Sequence, residues 1–289
     1  MHHFWLGVEA GQIETGDVNL TAERRRELLD LLDDHSRLQT EYPPVAEYLE
    51  VSPTLTGTGD DAADASFELR FVHFATAGDS VQDPYWEIVK PLIRRREGRG
   101  IIAPAGGTRL GYAQTVLQQM YAYAVPSPET IEWVRDAVGQ HRLIEVGAGR
   151  GYWAARLASV GVSVAAFDSH PPDIKSNVSF PGVGTKIPST WYEVKHAATL
   201  LEASPDNSNT VLLLCWPPGW ENAMASDALS QFEESGGQRL VYIGEPLGGK
   251  TGNSAFFSAL AARWKLESVD SQYARWWNLN DCAQIWVRR

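Results

Sequence analysis

The stretch Leu143–Tyr152 limits what this chain can fold into more than any other. It reads Leu-Ile-Glu-Val-Gly-Ala-Gly-Arg-Gly-Tyr. Leu143, Ile144 and Val146 form a short apolar run that carries one acid, Glu145, and then breaks into Gly147, Gly149 and Gly151. The next residues, Trp153 to Ser159, have helical character. The order is therefore strand, glycine turn, helix. Glycine allows a tight turn and lets a ligand approach the backbone, because no Cβ intervenes. A second strand-like run, Val162–Phe167, ends in Asp168, seventeen residues after Gly151. An acid there suits the hydroxyls of a ribose. The pattern predicts an adenosine lying across the tips of two parallel strands, against the plainer alternative of a tight turn with no ligand.

Composition narrows the function classes. The chain has 289 residues, 44% of them hydrophobic, enough for one large α/β domain or one domain with an extension. Its formal net charge is −11, which argues against nonspecific nucleic-acid binding, since that rests on Lys and Arg neutralising phosphates. The triplets Arg24–Arg26 and Arg94–Arg96 sit in helical-looking stretches and suit a solvated face or an interface. Cys215 and Cys282, the two cysteines, lie in apolar runs and suit buried thiols. No Cys/His spacing of a zinc site occurs, so no metal is expected. No signal peptide and no membrane-spanning run is seen, and the expected setting is cytoplasmic.

Read in order, Thr21 caps a helix to Gln39, and Pro43-Pro44 ends it. Val45–Val51 is a further turn of helix, and Ser52–Ser66 reads as a loop or linker. Phe67–Phe74 is strand or helix. Asp83-Pro84 opens a helix to about Arg96, and Gly98–Gly107 is a loop. Gly111–Tyr123 is helical. Ser127 caps a helix from Pro128 to Val138 that leads into the first strand. Ile174–Thr190 carries no clear pattern. Trp191–Val194 is the third strand, and Thr210–Cys215, almost unbroken in its apolar run, is the fourth and is buried on both faces. Ala223–Phe232 is a helix, Arg239–Gly244 the fifth strand, and Ser254–Lys265 a helix. Leu266–Asp270 and Ala283–Val287 are the last two strands. Repeated βαβ units predict a doubly wound, Rossmann-like α/β fold with a seven-stranded, mostly parallel sheet and a mainly helical N-terminal extension. The expected division is residues 1–110, as a cap over the pocket or a homo-oligomer surface, and 111–289, as the ligand-binding domain.

A dinucleotide fingerprint would place its third glycine at Tyr152. The run found, Glu145-x-Gly147-x-Gly149-x-Gly151, resembles the first motif of class I methyltransferases that use S-adenosylmethionine. The string Tyr-Ala-Tyr-Ala-Val-Pro-Ser-Pro-Glu, from Tyr121, resembles the lead-in of a poorly characterised subgroup. The resemblance covers about residues 110–289. It implies that Glu145 faces the methionine amine, that Gly147, Ala148, Gly149, Gly151 and Tyr152 give backbone access, and that Asp168 and Ser169 meet the ribose. It further implies that the lead-in residues Tyr121 and Pro126 close over the methionine end of the cofactor. For Tyr121 and Tyr123, packing in the core or rim is an equal alternative. The tip of the fourth strand, Cys215-Trp216-Pro217, would face the transferable methyl group, and Lys195-His196-Ala197 would lie near the adenine edge. The amino-methylating branch carries Asp, Asn or Ser before two prolines. Here Trp216 stands in that place, and its alternatives are a ring face for a cation or a core aromatic.

Methyl transfer mainly requires two reactants held in line, and a neutral nucleophile must also lose a proton. Glu245, at the end of the fifth strand, is the preferred base, with a structural acid as its alternative; His170 and His196 are the other candidates. The glycine loop Gly248–Gly252 lacks P-loop spacing. The expected function is methylation of a small-molecule substrate. The alternatives are a catalytically silent binding or interaction protein, a nicotinamide oxidoreductase, and a protein or nucleic-acid methylase.

Overall fold

The structure is a computed structural model that describes residues 18–95, 99–101, 107–172 and 180–289. Residues 1–17, 96–98, 102–106 and 173–179 lie outside this set. So do most of the expected Gly98–Gly107 loop and part of the unassigned Ile174–Thr190; the helix expected to run to about Arg96 ends at Val89, and Ile93–Arg95 is a strand instead. The chain divides into two compact units.

The first unit comprises Met1–Ile93, Ile102–Met120 and Gly182–Ser189. Its helices are α1 (Ala22–Asp33), α2 (His35–Glu41), α3 (Pro43–Val51), α4 (Asp61–Ala75), α5 (Pro84–Val89) and α6 (Thr108–Met120). Thr21 caps α1 as expected, its hydroxyl accepting from Arg24 N at 3.1 Å. Pro43 does not stop a helix but begins one. At the first position its missing N–H goes unneeded, and its φ already suits the helix. The expected linker Ser52–Ser66 is interrupted by α4, because Asp60 supplies a side-chain cap to Ala63 N at 3.0 Å. Phe67 and Phe71 are thereby placed on a helix, where they pack on buried Tyr48. The chain passes between the units more than once, with Arg94–Ile101 in the second and Ile102–Met120 in the first. The segment 182–189 also joins this unit, since Thr185 N and Lys186 N donate to the carbonyls of Thr40 and Glu41.

The second unit comprises Arg94–Ile101, Tyr121–Pro181 and Thr190–Arg289. Its strands begin with β1 (Ile93–Arg95, which starts at the boundary), β2 (Arg99–Ile101), β3 (Arg142–Val146), β4 (Val164–Asp168) and β5 (Val194–His196). They continue with β6 (Thr210–Cys215), β7 (Arg239–Gly244), β8 (Trp264–Val269), β9 (Ala274–Trp276) and β10 (Cys282–Arg288). Its helices are α7 (Pro128–Val138), α8 (Tyr152–Ser159), α9 (Leu200–Ala203), α10 (Met224–Glu234) and α11 (Ser254–Arg263). The main sheet has the order β5-β4-β3-β6-β7-β10-β8. Strands β3 to β7 are parallel, and β10 is inserted antiparallel between β7 and β8. A small sheet of order β1-β2-β9 was not expected.

The two faces of the main sheet carry separate apolar layers. Ile131, Val134 and Val138 of α7 and Trp153 and Leu157 of α8 pack on Leu143, Val211, Leu213 and Ile243. Leu229 and Phe232 of α10 and Phe256 and Leu260 of α11 pack on Ile144, Leu212, Leu214 and Tyr242. Val211–Leu214 are fully buried. Burying each of those side chains stabilises the fold by about 1.5–3 kcal/mol. α7 is fixed as expected: Ser127 Oγ accepts from Thr130 N at 3.3 Å, and Thr130 Oγ1 donates to buried Asp270 at 2.6 Å. The third strand lies at 194–196 rather than 191–194, so Lys195 and His196 are within it.

Candidate functional site

Three left-handed glycines shape the turn after β3. Gly147, Gly149 and Gly151 have φ of 76°, 53° and 68°. A residue with a Cβ is strained in that region. The amides of Gly147 and Ala148 both donate to Phe167 O, at 2.9 and 3.0 Å, which fastens the turn to the end of β4. Asp168 fastens it again. Its Oδ2 accepts from Gly149 N at 2.9 Å and its Oδ1 from His170 N at 2.8 Å. Ser169 Oγ lies 3.0 Å from His170 Nδ1. Asp168 thus holds the loop itself, with one lone pair per oxygen left for a further donor.

Glu145 is buried beneath the turn, 2% exposed. It accepts a backbone hydrogen bond from Ala154, in the first turn of α8. The N-cap of that helix is Gly151, which has no side chain with which to cap it, so the acid satisfies an otherwise orphan N–H. Glu145 Oε2 is buried and meets no donor among the described residues. Burial first, and the charge of Asp168 second, push its carboxyl up to about 8. An acceptor stranded in this way fits an ammonium group, which would repair both the missing hydrogen bond and the missing charge.

The glycines also serve the protein's own packing. A Cβ on Gly147 would lie 2.5 Å from Met224 Cε, one on Gly149 2.5 Å from Phe180 Cζ, and one on Gly151 2.9 Å from Val194 Cγ2. Arg150, in the same turn, is buried. Its Nη2 donates to Pro181 O at 2.6 Å and its guanidinium lies 5.5 Å from the Phe180 ring centroid. Burial lowers it to about 10. A ligand reaching Gly147 and Gly149 must share that space with Met224 and Phe180.

Tyr121 and Tyr152 are buried and form an aromatic cluster with Trp191, with centroids 5.1–5.3 Å apart. Pro126 is buried. Nearby, Trp153 Nε1 donates to Ala124 O at 3.1 Å and ties the lead-in to α8.

At the tip of β6, Cys215 is followed by Trp216 in a left-handed conformation, φ 55°. A tryptophan held there costs about 1–3 kcal/mol. The bond from Trp216 N to Ile243 O, 2.7 Å, helps to hold it. Its ring is parallel to that of Tyr123, with centroids 6.0 Å apart. Pro217 is buried, and its carbonyl accepts from Gly252 N. Burial raises the Cys215 thiol well above its usual value, and the charges of Glu145 and Asp281 add to this.

Glu245 is buried with both oxygens engaged. Oε2 accepts from Lys250 N at 2.6 Å and Oε1 from Asn280 N at 3.0 Å. In this arrangement it clamps the loop after β7 to the loop before β10. His170 and His196 are not drawn to it. His170 bonds locally to Ser169, and His196 is exposed on β5. Asp281, one residue before β10, escaped the sequence reading. It is 2% exposed and accepts from Tyr273 OH, while its Oδ1 meets no donor among the described residues. Burial pushes it up to about 6. The signal available was an acid next to an apolar strand. Because β10 runs antiparallel, its start, not its end, reaches this edge. Among the described residues, no group of three or more His, Cys, Asp and Glu could hold a metal ion.

The glycine turn after the first sheet strand, the acid after the second, and the antiparallel last strand are now all in place. The chain has the class I methyltransferase fold. No family model and no curated protein matches it. Solved structures match at low identity. A magnesium protoporphyrin IX methyltransferase from Synechocystis, with bound S-adenosylhomocysteine, is 12% identical, covering 62% of this chain and 87% of its own, at a TM-score of 0.36. Mitomycin 7-O-methyltransferase is 13% identical, over 79% and 71%, at 0.37. A tRNA (uracil-54, C5) methyltransferase from Pyrococcus abyssi is 14% identical, over 58% and 38%, at 0.32. Those scores carry no residue across to this chain. Among the described residues, no helix is long and apolar enough to cross a membrane.

Proposed function

We propose that this chain is an S-adenosylmethionine-dependent methyltransferase acting on a small-molecule acceptor. The observation that carries the reading is Glu145: a buried carboxyl oxygen without a donor among the described residues, directly under a glycine turn that a second acid, Asp168, fastens. Glu145 Oε2 would accept from the ammonium of the cofactor, and the spare lone pairs of Asp168 from the ribose hydroxyls. The cofactor would supply a sulfonium methyl group. The chain's own part is to orient the two reactants and exclude water, which in favourable cases supplies roughly 7–11 kcal/mol. The face of Trp216 suits a cation near the tip of β6. The net charge of −11 supports a small or cationic acceptor over nucleic acid. Two free cysteines support a reducing, cytoplasmic setting.

Phe180 and Met224 favour a second reading, in which the chain keeps the fold but binds nothing at the turn, the protein's side chains filling it. Calorimetry with S-adenosylhomocysteine separates the two. The proposal expects saturable binding that Asp168→Ala weakens by about tenfold, the worth of one charge-assisted hydrogen bond. An absence of heat at about 1 mM ligand, where even a weak site of roughly −4 kcal/mol begins to fill, overturns it in favour of the silent reading.

A further inference from the structure

Asp281 is a carboxylate that neither the glycine turn nor the loop clamp uses. Strand register places it on the same side of the sheet as Glu145. Glu145 is level with Leu213 on β6, Cys215 is level with Ile243 on β7, and Ile243 with Ala283 on β10. Successive residues in a strand alternate faces, so Glu145, Cys215, Ile243 and Ala283 share one. Asp281 lies two residues before Ala283, on the carboxyl edge of the parallel strands. Glu145 and Asp281 both act on the Cys215 thiol. Along the edge where β6 ends, the order is thus acid on β3, thiol on β6 and, beyond β7, acid at the start of β10. Tyr273, which bonds to Asp281, belongs to the apolar cluster on that face, and Trp216 packs against the same cluster.

Burying a carboxylate with one oxygen unsatisfied is costly unless something supplies a donor. Glu145 has a proposed partner in the cofactor's ammonium; Asp281 has Tyr273 on one oxygen and feels the charge of Arg275, but its Oδ1 meets no donor among the described residues. An alcohol would satisfy that hydrogen bond without adding charge. A protonated amine would satisfy it with a charge-assisted bond, which is the stronger of the two. Asp281 reaches this edge from the start of β10.

We propose that Asp281, oriented by Tyr273, receives a small arylalkylamine as the methyl acceptor, with its aromatic part against Trp216 and Tyr123. The ammonium donates to Asp281 Oδ1. A proton passes to that oxygen and on to solvent, leaving a neutral nitrogen whose lone pair would form the new bond to the methyl carbon as the sulfur–methyl bond breaks; the pair from that bond would leave on the thioether sulfur, and the positive charge would move to the methylated nitrogen. No oxidant or reductant takes part. This rests on the methyltransferase reading above, but its binding test does not depend on turnover.

The test is calorimetry of the full chain with phenethylamine and with its neutral counterpart 2-phenylethanol, each with and without S-adenosylhomocysteine. The amine is expected to bind at least about tenfold tighter than the alcohol, and Asp281→Asn to reduce that preference to about twofold or less, as loss of a charge-assisted bond requires. Asp281→Asn retains an oxygen for Tyr273, and its affinity for S-adenosylhomocysteine should not change. Wild-type protein gives an independent check. The groups around Asp281 are Tyr273, Arg275, Glu245, Cys282 and Cys215. Asp281, at about 6, gains a proton between pH 7.5 and 5, as does the remaining ionised fraction of Glu145 at about 8, so the preference should fall through that range, with the steepest part near 6. Equal binding of amine and alcohol overturns the proposal, as does no amine binding at about 10 mM, a preference that survives Asp281→Asn, or one flat with pH. If S-adenosylhomocysteine fails to bind while the amine preference holds, the methyltransferase reading falls and this site stands.

Discussion

Glu145 makes ligand binding a proton-linked event. Its carboxyl is pushed up to about 8 by burial and by the charge of Asp168. At pH 7 roughly nine-tenths of the free protein therefore carries a proton there, from the one-unit gap between pH and pKa. An ammonium requires the carboxylate ionised, so binding S-adenosylhomocysteine at pH 7 should release about 0.9 proton. The ionised fraction is about one-half at pH 8 and about one-hundredth at pH 6, so the Kd should weaken about fifty-fold between them. Calorimetry in phosphate and in Tris measures the release directly, because the observed enthalpy changes with the buffer's ionisation enthalpy in proportion to the protons exchanged. The free protein gives a second readout. A carboxyl raised from 4.5 gives its full stability below 4.5 and loses it as pH rises through 8. Glu145→Gln keeps an oxygen for the Ala154 N–H and removes the ionisation. Its stability relative to wild type should grow from pH 5 upward, to at most about 3 kcal/mol at pH 7, from roughly 1.4 kcal/mol per pK unit. A Kd flat from pH 6 to 8 with no proton released refutes the reasoning. So does a Gln variant less stable than wild type at every pH in urea melts.

Two further substitutions test the turn and the clamp. Gly149→Ala sets a Cβ at φ 53° against Phe180, and should cost about 1–3 kcal/mol in urea unfolding; Phe180→Ala in the same chain should recover the steric part and leave the backbone part. Glu245→Ala leaves the amides of Lys250 and Asn280 without their acceptor and should lower stability by about 2–4 kcal/mol, read as a shifted urea midpoint. An unchanged midpoint would mean that solvent replaces the carboxylate at no cost.

What the chain's pattern revealed, and what it hid, follows from how local each determinant is. β6 was legible at both ends because Val211–Leu214 are buried on both faces, which leaves no polar residue to blur the run. α7 was legible because Ser127, Pro128 and the apolar spacing agree. β5 was displaced by three residues because it is a three-residue edge strand whose Lys195 and His196 are exposed, so its position is set by pairing with β4 and not by hydrophobicity. The first turns of α4 were read as linker because Ala, Asp and Ser recur over 60–66, and the rest, Phe67–Phe74, as strand or helix. Only the tertiary burial of Phe67 and Phe71 makes that composition a helix. β2 and β9 are three residues each and derive their identity from one another.

The site divides in the same way. The acids of parallel strands announce themselves, because each of those strands carries its ligand-side residue at its C-terminal end. Glu145 lies under the turn after β3, Asp168 ends β4, and Glu245 follows β7. Reading to the end of every strand therefore finds them, but it cannot rank them. Glu245 has the position of a base, yet two loop amides consume its oxygens, and those donors lie five and thirty-five residues away in the chain. Asp281 fails the same reading for the opposite reason. The last strand is inserted antiparallel, so the edge that matters is its beginning, and the residue there looks like part of a polar turn, Leu279-Asn280-Asp281. A rule that treats every strand alike misses the acid on the one strand of the β6–β7–β10 series that runs backwards. The corrected rule assigns the ligand edge by strand direction first and residue type second. Applied to β8, which pairs antiparallel with β10 and so runs with β7, it turns to Asp270. That acid is already bonded to Thr130 and to Gln272 N, which leaves Asp281 as the acid at this end of the sheet with an oxygen that meets no donor among the described residues.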